Sequence, residues 1–519
     1  MKLIRGALPF LFRLLLSVAA GVGLWAAGAP RSWWVCALIG VALLWFTVYR
    51  ATWPRAFFWG FVAGFVFFYL HCDWAVTASG LLAARVVLAG IEAVFIGVVT
   101  ALWAGIWRFR RVHHAGVMTL AALGASALVW VGSEVLRSML PFGGLPWGLL
   151  GYLLVDSPLV HLAPLGSTEL VGAAGVVCAI SGALAVRNAV MIHPFRTLKA
   201  AVLCIAVVLI PLLVPLHAPA SGQLKVAVVQ GNAPHLGSVP DSAWSTITTE
   251  NQVQAAQSVL KEHPDLFVLP ESTSDYDYRV EQYPHDLIMG LARDAGVPLL
   301  LGTQRYFTEH GRQLRTNDYV VQYPDGSLPA VEDTYSKQHP VPFGEYVPLR
   351  NVVEKLTAKI EEISIDMVAG EKPAQLAVHL PDRDLKVAVP ICFEVAYSAI
   401  VSQGAASSEL LVVPTSNVTF GYSSEALEQF AITKFRAIEN GRTAIQVSTM
   451  GTSGVVTPNG TVQYQTGLFE RDARVVTVPL YRHVTPAASS YQLRMVIVLM
   501  GSIAASLWGI WGLRRSPAC

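Results

Sequence analysis

The chain carries few charged residues for its length. Of its 519 residues, 14% are charged and 53% are hydrophobic, whereas an ordinary soluble domain carries about 25% charged residues. The formal net charge of +2 is too small to indicate a nucleic-acid partner. This shortage of charge indicates a membrane protein, and the length allows more than one domain.

Cysteine is sparse and shows no paired pattern. The chain contains neither a CxxC motif nor the spacing of a zinc site, so neither a metal centre nor a disulfide scaffold is predicted. Only Cys392 lies in the long polar region of the chain. A free cysteine taken alone is usually core filling, so its context must decide its role. The cysteines are Cys36, Cys72, Cys178, Cys204, Cys392 and Cys519.

Long apolar runs fill the first 217 residues and return near the end. A membrane-spanning helix needs about 20 mostly apolar residues. The first run is interpreted as a retained helix and not as a removable signal peptide, because six more runs follow it and Arg13 interrupts it. The predicted spans are 8–28, 32–49, 56–72, 86–107, 116–136, 164–186, 199–217 and 493–513.

Basic residues cluster in every second loop, which places the clusters on one side if every run spans the membrane. The other short loops carry Arg31 and Arg137, with Arg85 near a helix start. The basic side is cytoplasmic by the positive-inside rule, so residues 218–492 are predicted to lie outside the cell membrane. The clusters comprise Lys2, Arg5, Arg50, Arg55, Arg108, Arg110, Arg111, Arg187, Arg196, Lys199, Arg514 and Arg515.

Residues 218–492 have the pattern of a separate α/β domain, between a membrane block at 1–217 and a C-terminal helix with a cytoplasmic tail at 493–519. Short apolar runs alternate with helical stretches, which predicts an α/β fold. The predicted helices include 246–262, 284–295 and 424–439. The predicted strands are Leu224–Gln230, Leu266–Leu269, Pro298–Thr303, Tyr319–Tyr323, Leu385–Ile391, Leu410–Pro414, Thr443–Ser448 and Val475–Pro479.

Three side chains of this domain form a chemically sensible set. Glu271 follows one predicted strand, Cys392 follows another, and Lys337 lies in the segment DTYSKQHPVPFGEYVP. Sites of α/β folds lie at the carboxyl ends of strands. A glutamate could deprotonate the thiol for attack on a carbonyl, and a lysine could stabilise the oxyanion. Each residue alone has a structural explanation, and only the joint occurrence predicts an active site.

The sequences around these residues resemble the three signature segments of the nitrilase superfamily. LPE at 269–271, SKQHPVPFGEYVP at 336–348 and PICFE at 390–394 match in order and context. That superfamily uses a Glu–Lys–Cys triad on a four-layer αββα sandwich. The flanking membrane helices, and GGLPWGLLGY at 143–152, resemble its membrane-bound branch, the apolipoprotein N-acyltransferase family. The resemblance implies a multi-spanning α-helical membrane domain of about eight helices plus a nitrilase-like αββα domain, in the bacterial cytoplasmic (inner) membrane.

The resemblance also implies roles for individual residues. Glu271 is similar to the general base, Lys337 to the oxyanion-stabilising lysine and Cys392 to the nucleophile. Glu345 in FGEYVP is similar to a second glutamate that supports this triad, and Glu394 in CFE is similar to another polar residue beside the nucleophile.

Two segments depart from the family pattern. Phe393 stands where the family usually has a tyrosine, and 416–421 reads SNVTFG where the family often reads NDAWFG. Both departures affect contacts with the second substrate more than the triad. Aromatic rings favour the membrane interface, which makes GGLPWGLLGY a predicted interfacial segment. Candidates for substrate or lipid contact are Trp147, Tyr152, Tyr346 and Phe420.

The family activity is a two-step acyl transfer. Cys392 would take an acyl chain from a glycerophospholipid as a thioester and pass it to the α-amine of an S-diacylglyceryl cysteine at a lipoprotein's N-terminus. The implied partners are the phospholipid donor, the lipoprotein acceptor and the membrane, with no cofactor, and the chain is expected to be a monomer. Loops rich in glycine and proline at 340–348 and 419–424 are candidate lids that exclude water.

Two other functions stay open on the sequence alone. A membrane-anchored amidase or nitrile hydrolase would use the same triad with water as the acceptor. A transporter or scaffold would use the polar domain only for binding, although transporters usually bury ionisable residues near the middle of the membrane. The intact Glu, Lys and Cys motifs favour an enzyme.

Overall fold

The computed structural model describes residues 2–112, 116–216, 218–330, 333–353 and 364–514. The chain forms two compact units, Met1–Pro215 with Ser490–Cys519, and Leu216–Ser489. The structure thus divides the chain after residues 215 and 489, whereas the sequence predicts divisions after residues 217 and 492. Residue 217 and the predicted tail at 515–519 lie outside the described residues.

The first unit is helical. Seven of its described helical spans are long and apolar enough to cross a membrane, and Trp34–Val48 is a shorter apolar helix of 15 residues. Together they match the predicted runs, so the prediction of a multi-spanning helical block is confirmed. The helices are α1 (Lys2–Ala27), α2 (Trp34–Val48), α3 (Trp53–His71), α4 (Trp74–Ser79), α5 (Leu82–Val112), α6 (Gly116–Arg137), α7 (Leu150–Leu153), α8 (Ala163–Val190), α9 (Pro194–Leu209) and α16 (Tyr491–Arg514).

Buried charges within this unit are paired. Arg137 Nη1 lies 3.2 Å from Glu92 Oε2, and Arg494 Nε lies 3.1 Å from Glu169 Oε2. Glu134 accepts a backbone N–H bond of 2.7 Å. Ionisable groups inside a membrane are tolerated when they find such partners, so the packing of the helices accounts for these residues.

The segment with Trp147 and Tyr152 is folded into the first unit. Arg137 donates to the carbonyl oxygen of Trp147 at 2.9 Å, and the Trp147 ring packs 6.2 Å from Trp74. Trp147 is 2% exposed and Tyr152 is 5% exposed. Both rings are therefore packed inside the helical unit, and their position at the membrane interface stays a prediction. Contact with a substrate chain stays a prediction.

The second unit contains two β-sheets. One has the strand order β13-β1-β2-β3-β4-β5, with β6 beside β4, and the other has the order β12-β11-β10-β9-β8-β7. The strands are β1 (Gly222–Gln230), β2 (Leu266–Val268), β3 (Leu299–Glu309), β4 (Arg312–Gln322), β5 (Thr334–Ser336), β6 (Asp366–Met367), β7 (Gln375–Leu380), β8 (Arg383–Ala388), β9 (Leu410–Thr415), β10 (Thr443–Ser448), β11 (Gly454–Val456), β12 (Val462–Gln465) and β13 (Asp472–Leu480).

Helices cover the outer faces of the two sheets. Successive strand residues point to opposite faces, and Val228 accordingly joins a core shared by both sheets, whereas Val229 packs against α10 and α11. Helices α13 and α14 pack against the other sheet. The four layers form the predicted αββα sandwich, which is confirmed. The helices of this unit are α10 (Asp241–Gln257), α11 (Gln282–Ala295), α12 (Arg350–Val353), α13 (Ser398–Ala405), α14 (Glu425–Asn440) and α15 (Pro486–Ser489).

Candidate active site

The predicted catalytic residues follow strands of both sheets. Glu271 comes shortly after β2 and Lys337 directly after β5, two strands that run in the same direction in one sheet. Their carboxyl ends therefore lie at the same end of that sheet. Cys392 follows β8 of the other sheet and begins a short 3₁₀ turn, Cys392–Ala396.

Lys337 lies between two carboxylates. Its Nζ is 2.6 Å from Glu345 Oε1 and 3.2 Å from Glu271 Oε1. Asn317, on β4, donates from Nδ2 to the same Glu271 oxygen at 2.7 Å, and the N–H of Val341 donates to Glu345 Oε2 at 2.7 Å. Lys337 is fully buried and Glu271 is 7% exposed. The structure thus brings three of the predicted residues into one hydrogen-bonded cluster.

The charges of this cluster differ from those of isolated side chains. Burial lowers the pKa of Lys337, but the carboxylates of Glu271 and Glu345 outweigh burial and hold that pKa well above its usual value. The ammonium therefore keeps its charge. Burial raises the pKa of the Cys392 thiol, and the charge of Glu271 raises it further. The nearby charge of Lys337 opposes this rise without cancelling it. Cys392 is therefore a neutral thiol at rest and needs a base before it can attack.

Cys392 has an unusual backbone conformation. Its φ is +53°, a region that costs a residue with a side chain roughly 1–2 kcal/mol. Such strain persists only where the surroundings impose it, and it is common at active sites. The strained turn at the end of a strand is an independent reason to regard Cys392 as functional.

Glu394 connects the turn at Cys392 to the segment that carries Lys337. Its two carboxylate oxygens accept four hydrogen bonds, and the residue is fully buried. Burial raises the pKa of Glu394 to about 7, while the donors oppose that rise. These hydrogen bonds fix the turn against that segment, and a supporting role for Glu394 in the active site stays a prediction. The donors are the N–H of Ile391 at 2.8 Å, the N–H of Gln338 at 2.6 Å, the N–H of His339 at 2.9 Å and the hydroxyl of Tyr335 at 2.8 Å.

The remaining candidates of this unit are aromatic side chains. Phe393 is half-buried, with its ring 5.3 Å from that of Tyr397. Tyr346 and Phe420 are also half-buried. Their contact with lipid stays a prediction.

Three polar residues beside these groups escaped the sequence analysis. Asn317 bonds to Glu271, and both Thr415 and Gln429 donate to the sulfur of Cys392. Thr415 ends β9, so its place at the carboxyl end of a strand is a signal that could have found it. Asn317 lies inside β4 and Gln429 lies inside α14. The signal that could have found them is a polar side chain at a position that faces the protein interior.

Gly302 allows the backbone of Glu271 to approach β3. A Cβ at residue 302 would lie 1.7 Å from the carbonyl oxygen of Glu271, so the backbone of residue 271 would have to move. We expect Gly302→Ala to lower the free energy of unfolding by about 1–3 kcal/mol. A displaced Glu271 should also slow the predicted acylation of Cys392 by about 100-fold. Thermal unfolding and single-turnover acylation measure the two effects.

Gly290→Ala is the matched control, because an added Cβ there meets no atom within 4 Å inside α11. This variant should keep the acylation rate and gain up to about 1 kcal/mol of helix propensity. An unchanged acylation rate in Gly302→Ala would mean that this close approach does not position Glu271.

Comparisons with known proteins show which families this chain is similar to. A family model described as carbon-nitrogen hydrolase matches residues 225–484, and one described as the apolipoprotein N-acyltransferase N-terminal domain matches residues 20–181. Among solved structures, a mutant of the Nesterenkonia AN1 amidase from the nitrilase superfamily is 20% identical, with a TM-score of 0.37 over 50% of this chain and 92% of that chain.

Two curated relatives match nearly the whole chain. The apolipoprotein N-acyltransferase of Azotobacter vinelandii is 32% identical, over 97% of this chain and 95% of the relative. That of Pseudomonas putida is 29% identical, over 94% and 95%. The prediction of an acyltransferase enzyme in the nitrilase superfamily is thereby confirmed. The chain belongs to the apolipoprotein N-acyltransferase family.

Proposed function

We propose that this protein transfers a fatty acyl chain from a glycerophospholipid, through a thioester on Cys392, to the α-amine of an S-diacylglyceryl cysteine at a lipoprotein's N-terminus. The observation that carries the proposal is the buried ammonium of Lys337, held between two carboxylates beside the neutral thiol of Cys392. Such a site supplies a base, a nucleophile and an oxyanion-stabilising charge, the groups that acyl transfer requires.

Glu271 is the proposed base of the first step. Its carboxylate takes the proton of the Cys392 thiol as the sulfur bonds to the ester carbonyl carbon. The oxygen of that carbonyl becomes negative, and Lys337 stabilises it by a charge-assisted hydrogen bond. Collapse of this intermediate breaks the ester C–O bond, and Glu271 returns its proton to the leaving oxygen of the lysophospholipid.

The second step repeats the chemistry with an amine. The nitrogen of the acceptor bonds to the thioester carbonyl carbon, and the bond to the sulfur of Cys392 breaks. The amine loses a proton to Glu271, the sulfur leaves as a thiolate and that proton returns to it. A thioester is reactive enough to acylate an amine, so dividing the transfer lowers each barrier.

The membrane setting favours lipid substrates. The seven candidate spans among the described residues are typical of a membrane protein. The basic loop clusters favour an extracytoplasmic position for Leu216–Ser489 in the bacterial cytoplasmic membrane. A soluble amide or nitrile substrate would not require such a helical unit. A monomer contains the whole proposed catalytic cluster, since all its members lie in one unit.

The proposed function is tested with purified full-length protein in detergent, a phospholipid with a labelled acyl chain and a synthetic diacylglyceryl-cysteine lipopeptide. We expect one labelled amide on the lipopeptide for each lysophospholipid released, as measured by mass spectrometry. The same lipopeptide with an acetylated α-amine is the matched control, because it differs only in the group that accepts the acyl chain.

The control separates transfer from hydrolysis. With the acetylated lipopeptide, lysophospholipid release should stop after one turnover. Continued release of free fatty acid at the same rate would identify water as the acceptor and would favour the amidase-type alternative.

A further inference from the structure

Two donors contact the sulfur of Cys392 without belonging to the Glu271–Lys337–Glu345 cluster. The hydroxyl of Thr415 donates to Sγ at 3.3 Å, and the amide Nε2 of Gln429 donates to it at 3.6 Å. Thr415 ends β9 and Gln429 lies on α14, and both side chains are fully buried.

The amide of Gln429 is held in one orientation. Its Oε1 accepts from Asn417 Nδ2 at 2.9 Å, so Nε2 is the atom left to face the sulfur. Asn417 is itself fixed, because its Nδ2 also donates to Glu425 Oε2 at 2.7 Å and its Oδ1 accepts from Ser448 at 2.7 Å. Asn417 is therefore a positioning residue that acts through Gln429.

Two backbone features hold Asn417 in place. Its φ is +56°, in the left-handed region that asparagine tolerates better than most residues. Gly451 leaves the space for its side chain, since a Cβ there would lie 2.4 Å from Asn417 Oδ1. The left-handed backbone at Asn417 and the missing side chain at Gly451 thus allow this amide to occupy its position.

Thr415 has one proton and three nearby acceptors. Its Oγ1 lies 3.3 Å from Cys392 Sγ, 3.0 Å from Gln429 Oε1 and 3.4 Å from Asn417 Oδ1. A hydroxyl donates to one acceptor at a time. A negative sulfur attracts the proton more strongly than a neutral amide oxygen, because charge-assisted hydrogen bonds are roughly twice as strong. Ionisation of Cys392 should therefore favour the hydrogen bond from this hydroxyl to the sulfur over its bonds to the two amide oxygens.

The charged groups around the sulfur make such donors valuable. Glu271, Lys337 and Glu425 all influence Cys392, and the two carboxyls disfavour a thiolate. Burial raises the pKa of Glu425 to about 8, and the hydrogen bond from Asn417 opposes that rise. The sulfur is nearly buried, and Thr415 and Gln429 are neutral donors that contact it within the described part of the chain.

We propose that Thr415 and Gln429 form a thiolate-stabilising pair, and that both halves of the acyl transfer depend on it. In the first half, the two donors lower the cost of moving the thiol proton to Glu271 while the S–C bond forms. In the second half, they stabilise the sulfur as it leaves with the electron pair of the broken S–C bond, before it regains a proton. The inference rests on the proposed function in taking Cys392 as the nucleophile of an acyl transfer.

The test compares Thr415→Val with Thr415→Ser in the full-length protein. Valine keeps the shape without the hydroxyl, and serine keeps the hydroxyl. The measurement is the pH dependence of Cys392 alkylation by iodoacetamide, followed by peptide mass spectrometry. We expect the valine variant to shift the midpoint upward by roughly one pH unit, with an alkylation rate roughly 10-fold lower at pH 7. The serine variant should stay within about 2-fold of the parent.

Gln429→Met gives a second arm that leaves Thr415 intact, because methionine has a similar volume and no amide. It should shift the midpoint in the same direction, and thermal unfolding of each variant identifies any loss of folding. Identical profiles for the parent, the valine variant and the methionine variant would overturn the proposal. Alkylation needs neither phospholipid nor lipopeptide, so its outcome is independent of whether the proposed substrates are right.

Discussion

Replacing Cys392 with alanine is expected to abolish the acyl-enzyme adduct that forms when the protein is incubated with phospholipid. The variant lacks the sulfur that would carry the acyl chain, and loss of a nucleophile lowers turnover by a factor on the order of 10⁶ in comparable enzymes. Intact-mass spectrometry after incubation without acceptor measures the adduct directly. Amide formation on the lipopeptide should be lost together with it.

Cys392→Ser refines this prediction. A serine hydroxyl is a far weaker acid than a thiol, and the buried site already holds the Cys392 thiol neutral. We therefore expect adduct formation to slow by at least roughly 1,000-fold, because deprotonation becomes much harder for the same base.

Cys36→Ala provides the matched control. Cys36 is a half-buried thiol on α2 in the helical unit, so its removal should leave the adduct unchanged. An adduct that persists in Cys392→Ala and disappears in Cys36→Ala would show that Cys36 carries the acyl chain. The proposed mechanism would then name the wrong nucleophile. Thermal unfolding should show that all three variants remain folded.

The sequence predicts the sandwich best where strands are buried on both faces. The predicted strand Thr443–Ser448 has the same bounds in the structure, and Leu410–Pro414 is only one residue short. The strand Gln375–Leu380 went unnoticed because it alternates buried and more exposed residues at the edge of its sheet. Strand β3 continues six residues beyond its predicted end at Thr303, to Glu309. The sequence does not predict this extension, which is largely polar and pairs with the hairpin strand β4.

The motifs identified the candidate residues but could not tell which of them touch. Glu271 and Lys337 are far apart in sequence, and they meet because β2 and β5 run in the same direction in one sheet. That pairing order depends on long-range contacts, which no local pattern encodes. The donors Thr415 and Gln429 were missed for the same reason, since nothing near them in sequence points to Cys392.

Replacing Lys337 with methionine is the second large effect we expect. The side chain is fully buried, and removing its ammonium leaves Glu271 and Glu345 facing each other without a cation. Loss of one partner of a buried ion pair costs about 3–5 kcal/mol of stability. For a unit of this size the unfolding midpoint should fall by roughly 10 °C.

Catalysis should suffer more than stability in the same variant. The oxyanion would lose its charged donor, which typically costs about 100- to 1,000-fold. Proton sharing between two uncompensated carboxyls would also weaken Glu271 as a base. We expect the combined loss in single-turnover acylation to exceed about 1,000-fold.

A double variant separates the two roles of Lys337. Adding Glu345→Gln to Lys337→Met removes one of the uncompensated carboxylates, so part of the lost stability should return. The oxyanion still lacks its cation, so acylation should stay as slow as in the single variant. Recovery of acylation together with stability would mean that Lys337 only holds the two glutamates apart, and the proposed mechanism would then need another oxyanion donor. Slow acylation in a double variant with restored stability would instead mean that the reaction requires the positive charge of Lys337. That variant no longer has the repulsion between Glu271 and Glu345, but it still lacks the ammonium.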